Sequence, residues 1–225
     1  MKIALFFIFL FLSYIVIIFN PGWYFGKKAE YENIILGHRL NETYDFNSLL
    51  DGVNSTLKKS KIYKQEYSFN IYITKNNKEF IFFAPFCRKK RYCINPIINA
   101  AYISPVKVEN GKIIFEGDYK YEPFAEIKKA AVQSLILQSE TPLSFLMIDE
   151  WKKIGYAEYE VDEFPAYMNS DLCRSIEDSL YKEFENRMCV KYMLEGMNLP
   201  VDEMLRGNYS YNYILEQARI KYCQR

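Results

Sequence analysis

The hydrophobic pattern at the start of the chain predicts one helix that anchors the protein in a membrane. An apolar run of 17 residues extends from Ile3 to Phe19, and no charged residue lies between Lys2 and Lys27. As an α-helix this run is ~26 Å long, which is close to the ~30 Å thickness of the hydrocarbon core of a bilayer. We therefore predict a single-pass N-terminal anchor.

The residues after this run favour a retained anchor over a cleaved signal peptide. Pro21 and Gly22 end the helix, and Trp23 and Tyr24 suit the membrane interface. A signal peptide, the alternative, has a shorter apolar core and a cleavage site between small residues, which is not found after Phe19. We expect the rest of the chain to face an extracytoplasmic compartment, either the periplasm or the cell surface. The balanced positive charges leave the cytoplasmic side open.

The periodicity of the remaining chain predicts an α+β fold. Residues 1–26 form the anchor, 27–45 a polar tether, and 46–225 a single domain. Alternating or β-branched runs predict strands at 67–74, 79–84, 100–103 and 112–116. Helical spacing predicts helices at 46–59, 124–138, 147–161, 171–196 and 210–222. This order indicates a small, mostly antiparallel sheet followed by a helical C-terminal half.

Composition and charge narrow the classes of partner. Hydrophobic residues make up 50% of the chain and charged residues 25%, which is typical of a globular protein. The net charge of +1 gives no basis for nucleic acid binding. The expected partners are a membrane and a protein or peptide.

The five cysteines leave the redox state open. Cys87 and Cys93 bracket a short basic turn and are a candidate disulfide. Cys173, Cys189 and Cys223 lie in predicted helices, where free cysteines behave as small apolar residues. The alternative, with all five reduced, remains open, and their spacing matches no zinc-binding pattern.

One segment carries a resemblance to a known family. Residues 151–159 read WKKIGYAEY, which resembles W-x-x-E-G-x-A-E-Y, the second motif of gluzincin-type zincin metallopeptidases. In that motif the first Glu is a zinc ligand, and Ile154 occupies its position here. The only histidine is His38, so the His-Glu-x-x-His motif of the family is absent. His38 itself is expected to be an exposed polar residue of the tether.

The resemblance implies where the former zinc cleft lies. The first zinc-binding helix of the family corresponds to 124–138, and the two His and the Glu of its motif correspond to positions near Ala130, Ala131 and Ser134. These residues and Ile154 offer no imidazole, thiolate or carboxylate, so we predict no metal and no cofactor. Glu158, one turn after Ile154, is expected to point into the cleft, either as a polar anchor for a ligand or as a structural carboxylate.

These observations predict a zincin-like domain without catalytic residues, which binds a peptide, a protein partner or an envelope component. One alternative is an unrelated membrane-anchored structural or assembly protein in which residues 151–159 form an ordinary amphipathic helix. Another is a hydrolase that uses clustered carboxylates such as Asp149, Glu150 and Asp162. A solvated acidic surface accounts for that cluster more simply.

Overall fold

A mixed five-stranded sheet organises the first half of the chain in the computed structural model, which describes residues 2–40, 44–87, 90–109, 112–115, 121–162, 167–174 and 176–223. The strands of the sheet are β1 (Lys27–Tyr31), β2 (Ile34–His38), β3 (Phe69–Ile73), β4 (Tyr92–Asn95) and β5 (Ala100–Ile103). Their order is β1-β2-β3-β5-β4. A separate two-stranded ribbon consists of β6 (Val106–Glu109) and β7 (Lys112–Phe115).

Helices surround this sheet and make up most of the chain after residue 122. They are α1 (Lys2–Phe19), α2 (Pro21–Tyr24), α3 (Asn47–Lys59), α4 (Asn77–Phe83), α5 (Pro123–Ser139), α6 (Pro142–Met147), α7 (Glu150–Val161), α8 (Ser179–Lys191), α9 (Val201–Arg206) and α10 (Tyr211–Cys223). Short 3-10 segments cover Pro85–Cys87 and Asn169–Cys173, and a π-helical turn covers Tyr192–Gly196. The prediction of an α+β fold with a helical C-terminal half is confirmed.

The prediction of a mostly antiparallel sheet is wrong. The three central strands, β2, β3 and β5, run parallel, and only the outer strands β1 and β4 are antiparallel to their neighbours. Parallel neighbours need a crossover connection, and α3 supplies the one between β2 and β3.

The alternation of side chains along β3 and β5 separates two cores. Ile71 and Ala101 face the stripe of α3 that the sequence predicted, together with the inner face of α5. Tyr72 and Tyr102 point to the opposite face, where they pack with the phenylalanines of α4. A third core lies between α5, α7 and α8. The helix α5 therefore has one side against the sheet and the other against the C-terminal helices.

The predicted strand at 79–84 is wrong, because this segment belongs to α4. The side chain of Asn76 accepts a hydrogen bond from the backbone N–H of Glu79 and caps the helix. Phe80 and Phe83 are three positions apart, so both are buried on one helical face. The aromatic content that suggested a strand serves helix packing here.

The segment predicted to be a tether instead contributes β1 and β2. Residues Ile34, Leu36 and His38 of β2 are buried, because this strand lies inside the sheet between β1 and β3. The helix predicted at 147–161 is divided between α6 and α7. The one predicted at 171–196 is divided into a 3-10 segment, α8 and a π-helical turn.

The helix α1 covers the predicted anchor. Phe19 and Trp23 are exposed, and the guanidinium of Arg39 lies 4.5 Å from the ring centre of Tyr24. The side chain of Ile3 lies outside the described part of the chain. Within the described ranges, no helix combines the length and the apolar character that crossing a membrane requires.

Candidate functional site

A cavity of about 720 Å³ lies beside β4, and the helices α1, α4, α5, α6 and α7 contribute to its wall. This is within the range of ligand pockets, roughly 300–1,000 Å³. Apolar side chains form much of its wall, among them Phe83, Phe86, Ile94, Phe145, Leu146 and Ile154. The polar part of the wall includes Lys90, Arg91, Gln133, Glu150, Lys153 and Glu183. The cavity therefore combines an apolar surface with a charged end.

The edge strand β4 lines this cavity along its whole length. Ser104 N donates a hydrogen bond to Arg91 O at 2.7 Å. With the register of β4 and β5, this bond identifies which residues of β4 direct their backbone groups towards β5. Backbone groups alternate in direction in an antiparallel pair, so the N–H and C=O groups of Tyr92 and Ile94 point away from β5. Among the described residues, no strand pairs with this outer edge.

A disulfide bond between Cys87 and Cys93 fixes the segment that leads into β4. Both cysteines line the cavity. The sequence identified this pair as a candidate, and the two sulfur atoms are bonded in the structure. The short loop that they close contains Lys90 and Arg91, so the bond holds two charged residues at the entrance of the cavity.

A buried cluster of charges lies behind the inner wall of the cavity. The ammonium of Lys129 is 2.7 Å from Glu126, 2.6 Å from Glu158 and 3.8 Å from Glu183. Arg91 Nε donates to Glu126 at 2.8 Å, and its guanidinium also pairs with Glu183. Three helices, α5, α7 and α8, each contribute one carboxylate, so the cluster holds these three helices together.

The charges of the cluster balance only if one carboxyl group keeps its proton. Burial raises the pKa of Glu158 to about 8; Lys129 opposes this rise, and Glu183 and Glu126 reinforce it. Burial lowers the pKa of Lys129, but its attraction to Glu126 and Glu158 is stronger, so the net direction is upward. At neutral pH two cations therefore face two carboxylates and one neutral carboxyl group.

Lys129 occupies the place that a metal ion would take in this cluster. The three glutamates bring carboxylate oxygens within 4.8 Å of one another, a spacing that suits a cation. The ammonium lies at bonding distance from two of the three. The chain thus supplies its own cation at the centre of an acidic site.

A second group of charges lies at the entrance of the cavity. Glu150 pairs with Lys90 at 2.5 Å and with Lys153 at 3.1 Å. Burial raises the pKa of Glu150. The two lysines lower this pKa by more than burial raises it, so the net shift is downward. Two ammonium groups share one carboxylate, which leaves an excess positive charge at this end.

The five residues of the expected former cleft lie in different surroundings. Ile154 lines the cavity, whereas Ala130 and Ala131 are buried in the core between α5 and the sheet. Ser134 is buried inside α5, and Glu158 belongs to the charge cluster. The helices α5 and α7 do pack against each other, and the Glu158–Lys129 pair joins them.

Each residue that carries the zincin resemblance has a packing role in this fold. The ring of Trp151 contacts Tyr211 at 5.4 Å between centroids, and Ala157 is buried. Gly155 lies so close to α8 that an added Cβ would be 2.3 Å from Asn186 O. Tyr159 donates a hydrogen bond to Glu195 at 3.1 Å. Packing thus accounts for these positions independently of any metal site.

Sequence reasoning placed Arg91 only in the short basic turn between Cys87 and Cys93, and it did not identify Glu126, Lys129 or Glu183 as site residues. The available signal was local: Glu126 and Lys129 are three positions apart on α5 and directly precede its apolar residues 130–132. His38 also differs from its expectation, since it is buried at the end of β2. Burial lowers its pKa, and the nearby charge of Lys27 adds to the effect.

Comparisons with models of protein families, with curated proteins and with solved structures found no match.

Proposed function

We propose that this chain is a membrane-associated module that binds an extended peptide along β4 and does not hydrolyse it. The observation that carries this proposal is the open edge of β4, which forms a wall of the cavity. An added strand would form hydrogen bonds with the outward peptide groups of Tyr92 and Ile94, and its alternate side chains would enter the apolar cavity. Such a ligand is an unbranched peptide with apolar residues at every second position.

Binding without hydrolysis is proposed because the positions that correspond to the zinc site of the zincins carry no side chain that could hold the metal. Ala130, Ala131, Ser134 and Ile154 offer no ligand for zinc. The acidic cluster behind the wall surrounds the ammonium of Lys129. These features fit a zincin-like domain in which packing and ion pairs have replaced the metal centre.

Association with a membrane is proposed from α1. Large apolar side chains of this helix are exposed, among them Phe6, Phe7, Phe9 and Phe11. Exposed apolar surface of this extent favours contact with lipid. Flotation of the chain with phospholipid vesicles tests this part, and a chain that stays at the bottom of the gradient would contradict it.

A hydrolase that uses carboxylates is the second candidate, and the raised pKa of Glu158 favours it, since an acid that keeps its proton at neutral pH can act as a proton donor. Against it, Glu158 is buried behind the cavity wall and held by Lys129. Incubation of the protein with casein, followed by mass spectrometry for new peptide termini, distinguishes the two functions. Cleavage that Glu158→Gln abolishes would favour the hydrolase.

The test of peptide binding uses the chain in mild detergent with a fluorescein-labelled peptide of alternating valine and serine. We expect saturable binding by fluorescence anisotropy, and loss of binding when the peptide amides that face β4 are N-methylated. Methylation of the amides on the other edge is the matched control, since it leaves those hydrogen bonds intact.

A pair of variants at Ile94 tests the same contact from the side of the protein. Ile94→Pro removes an outward N–H without removing a bond to β5, whereas Ile94→Ala shortens the side chain and keeps the N–H. We expect the proline variant to bind the peptide more weakly than the alanine variant while both unfold at similar temperatures. Equal affinities would contradict pairing along β4.

A further inference from the structure

The entrance of the cavity carries an excess of positive charge. Lys90 precedes β4 by two residues, so the excess positive charge of Lys90, Lys153 and Glu150 lies at the start of that strand. The side chain of Lys153 is only 8% exposed, and its ammonium faces Glu150 and the carbonyl oxygen of Phe145 at 3.4 Å. The charge of Lys153 is therefore held in the cavity wall and does not move freely at the surface.

The direction of β4 relates this charge to the polarity of the ligand. A peptide that pairs antiparallel to β4 ends near Lys90, so its C-terminus meets the positive charge. A peptide that pairs in parallel begins there and brings a positive amino group to two lysines. The electrostatic difference therefore favours the antiparallel direction and a free carboxylate at the end of the ligand.

We propose that the cavity recognises the free C-terminus of an apolar peptide, with Lys90 and Lys153 binding the terminal carboxylate. This inference rests on the proposed function and adds the class of ligand to it. Glu150 pairs with both ammonium groups, so it holds them close to each other in the absence of a ligand. The preceding apolar side chain of the peptide would contact Phe145 and Ile154, which line the same cavity.

The experiment compares two peptides that differ only at the terminus, one with a free carboxylate and one with an amide. A charge-assisted contact predicts that the acid binds about tenfold tighter than the amide. A third peptide, with a terminal amide and an aspartate as its last residue, separates a side-chain carboxylate from the C-terminus. Tighter binding of this third peptide than of the free acid would overturn the assignment to the C-terminus.

Two variants locate the contact on the protein. Lys90→Met, at a half-exposed position, and Lys153→Met, at a buried one, should each reduce the ratio of the affinity for the acid to the affinity for the amide. Lys58→Met is the matched control, because Lys58 lies on α3 and pairs with Glu32 away from the cavity. Retention of the preference in both cavity variants would overturn the proposal.

The outcomes separate this inference from the proposed function. Equal binding of acid and amide, with sensitivity to Ile94→Pro, would refute recognition of the C-terminus and leave peptide binding along β4 in place. Absence of binding by either peptide would refute both. A preference for the acid that disappears in Lys90→Met supports both.

Discussion

The ammonium nitrogen of Lys129 lies 2.6 Å from a carboxylate oxygen of Glu158, and both side chains are almost completely buried where α5 meets α7. Buried charges of this kind are retained only where partners compensate for their lost hydration. Here Glu126, Glu183 and Arg91 complete the compensation. The pair therefore joins α5, which packs on the sheet, to α7.

Replacement of Lys129 by alanine should convert this cluster into a metal site. Removal of the ammonium leaves three carboxylates around an opened space and should lower the free energy of unfolding by about 3–5 kcal/mol. Because carboxylate oxygens suit hard divalent cations, about 1 mM Mn²⁺ should recover part of this stability through linkage to binding. Thermal unfolding with Mn²⁺ and with excess chelator measures the effect.

Lys129→Met is the matched control for that experiment. It removes the same charge but leaves an unbranched side chain in the space between the carboxylates. We expect Mn²⁺ to stabilise the alanine variant and to leave the methionine variant and the natural protein unchanged. Failure of Mn²⁺ to stabilise Lys129→Ala would mean that the three carboxylates do not converge once the ammonium is gone.

Glu158→Gln should change how stability depends on pH. Burial raises the pKa of Glu158 from 4.5 to about 8 in the folded protein. The folded state then holds a proton that the unfolded state releases, so this residue's contribution to stability is complete below pH 4.5 and is lost as the pH rises towards 8. Glutamine stays neutral, so the variant should gain stability relative to the natural protein across this window, by up to about 5 kcal/mol.

Denaturant unfolding at intervals from pH 4.5 to pH 8 provides that measurement. Glu177→Gln, at an exposed position, controls for the removal of one negative charge. A difference that does not vary with pH would show that Glu158 does not titrate in this window. A difference of the opposite sign would show that Lys129 keeps Glu158 ionised.

Sequence reasoning predicted correctly the parts of the fold with a strong local pattern of apolar residues. The stripe of α3 shows it, since its buried residues recur at helical spacing. The strands β3 and β5 and the helix α5 were predicted from their apolar residues instead, and almost all of their residues are buried. It failed for α4, whose aromatic residues suggested a strand although Asn76 supplied the cap of a helix. It also missed β1, a largely exposed edge strand with little alternation.

The site was harder to predict because most of its charged residues are far apart in the sequence and come together only in the folded chain. Arg91 and Glu183 form an ion pair across 92 positions of sequence. Only the pair of Glu126 and Lys129 is local, and a charged pair on a helix is usually solvent-exposed. The motif at 151–159 directed attention to Ile154, which does line the cavity, but gave no information about β4 as its opposite wall.

Gly155→Ala should destabilise the protein although it lies inside a helix. On an isolated helix this change is favourable by about 1 kcal/mol. In this fold the new Cβ would lie 2.3 Å from Asn186 O and 2.8 Å from Val190 Cγ2, so α7 and α8 must move apart. We expect a net loss of about 1–3 kcal/mol, which is typical of overpacked cores.

Equilibrium unfolding in urea measures this loss, with Gly26→Ala as the matched control. An added Cβ at Gly26 meets no atom within 4 Å, so that variant should retain its stability. Unchanged or increased stability of Gly155→Ala would mean that α7 and α8 are not in such close contact.

The two disulfide bonds should differ in what they contribute to stability and to binding. Cys173 and Cys223 close a loop over 50 positions and join the 3-10 segment before α8 to the end of α10, a pairing that sequence reasoning did not anticipate. Cys87 and Cys93 close a loop over 6 positions at the cavity. Loop entropy predicts losses of about 4 kcal/mol and about 2 kcal/mol when each pair is replaced by serine.

Peptide affinity should follow the opposite order, because only the shorter loop lines the cavity. The variant without Cys87 and Cys93 should bind the labelled peptide more weakly, since Lys90 and the start of β4 lose their constraint. The variant without Cys173 and Cys223 should keep its affinity under conditions in which it remains folded. Unfolding curves and anisotropy titrations on both variants test this order. An affinity loss that parallels the stability loss would show that the shorter disulfide has no separate role at the cavity.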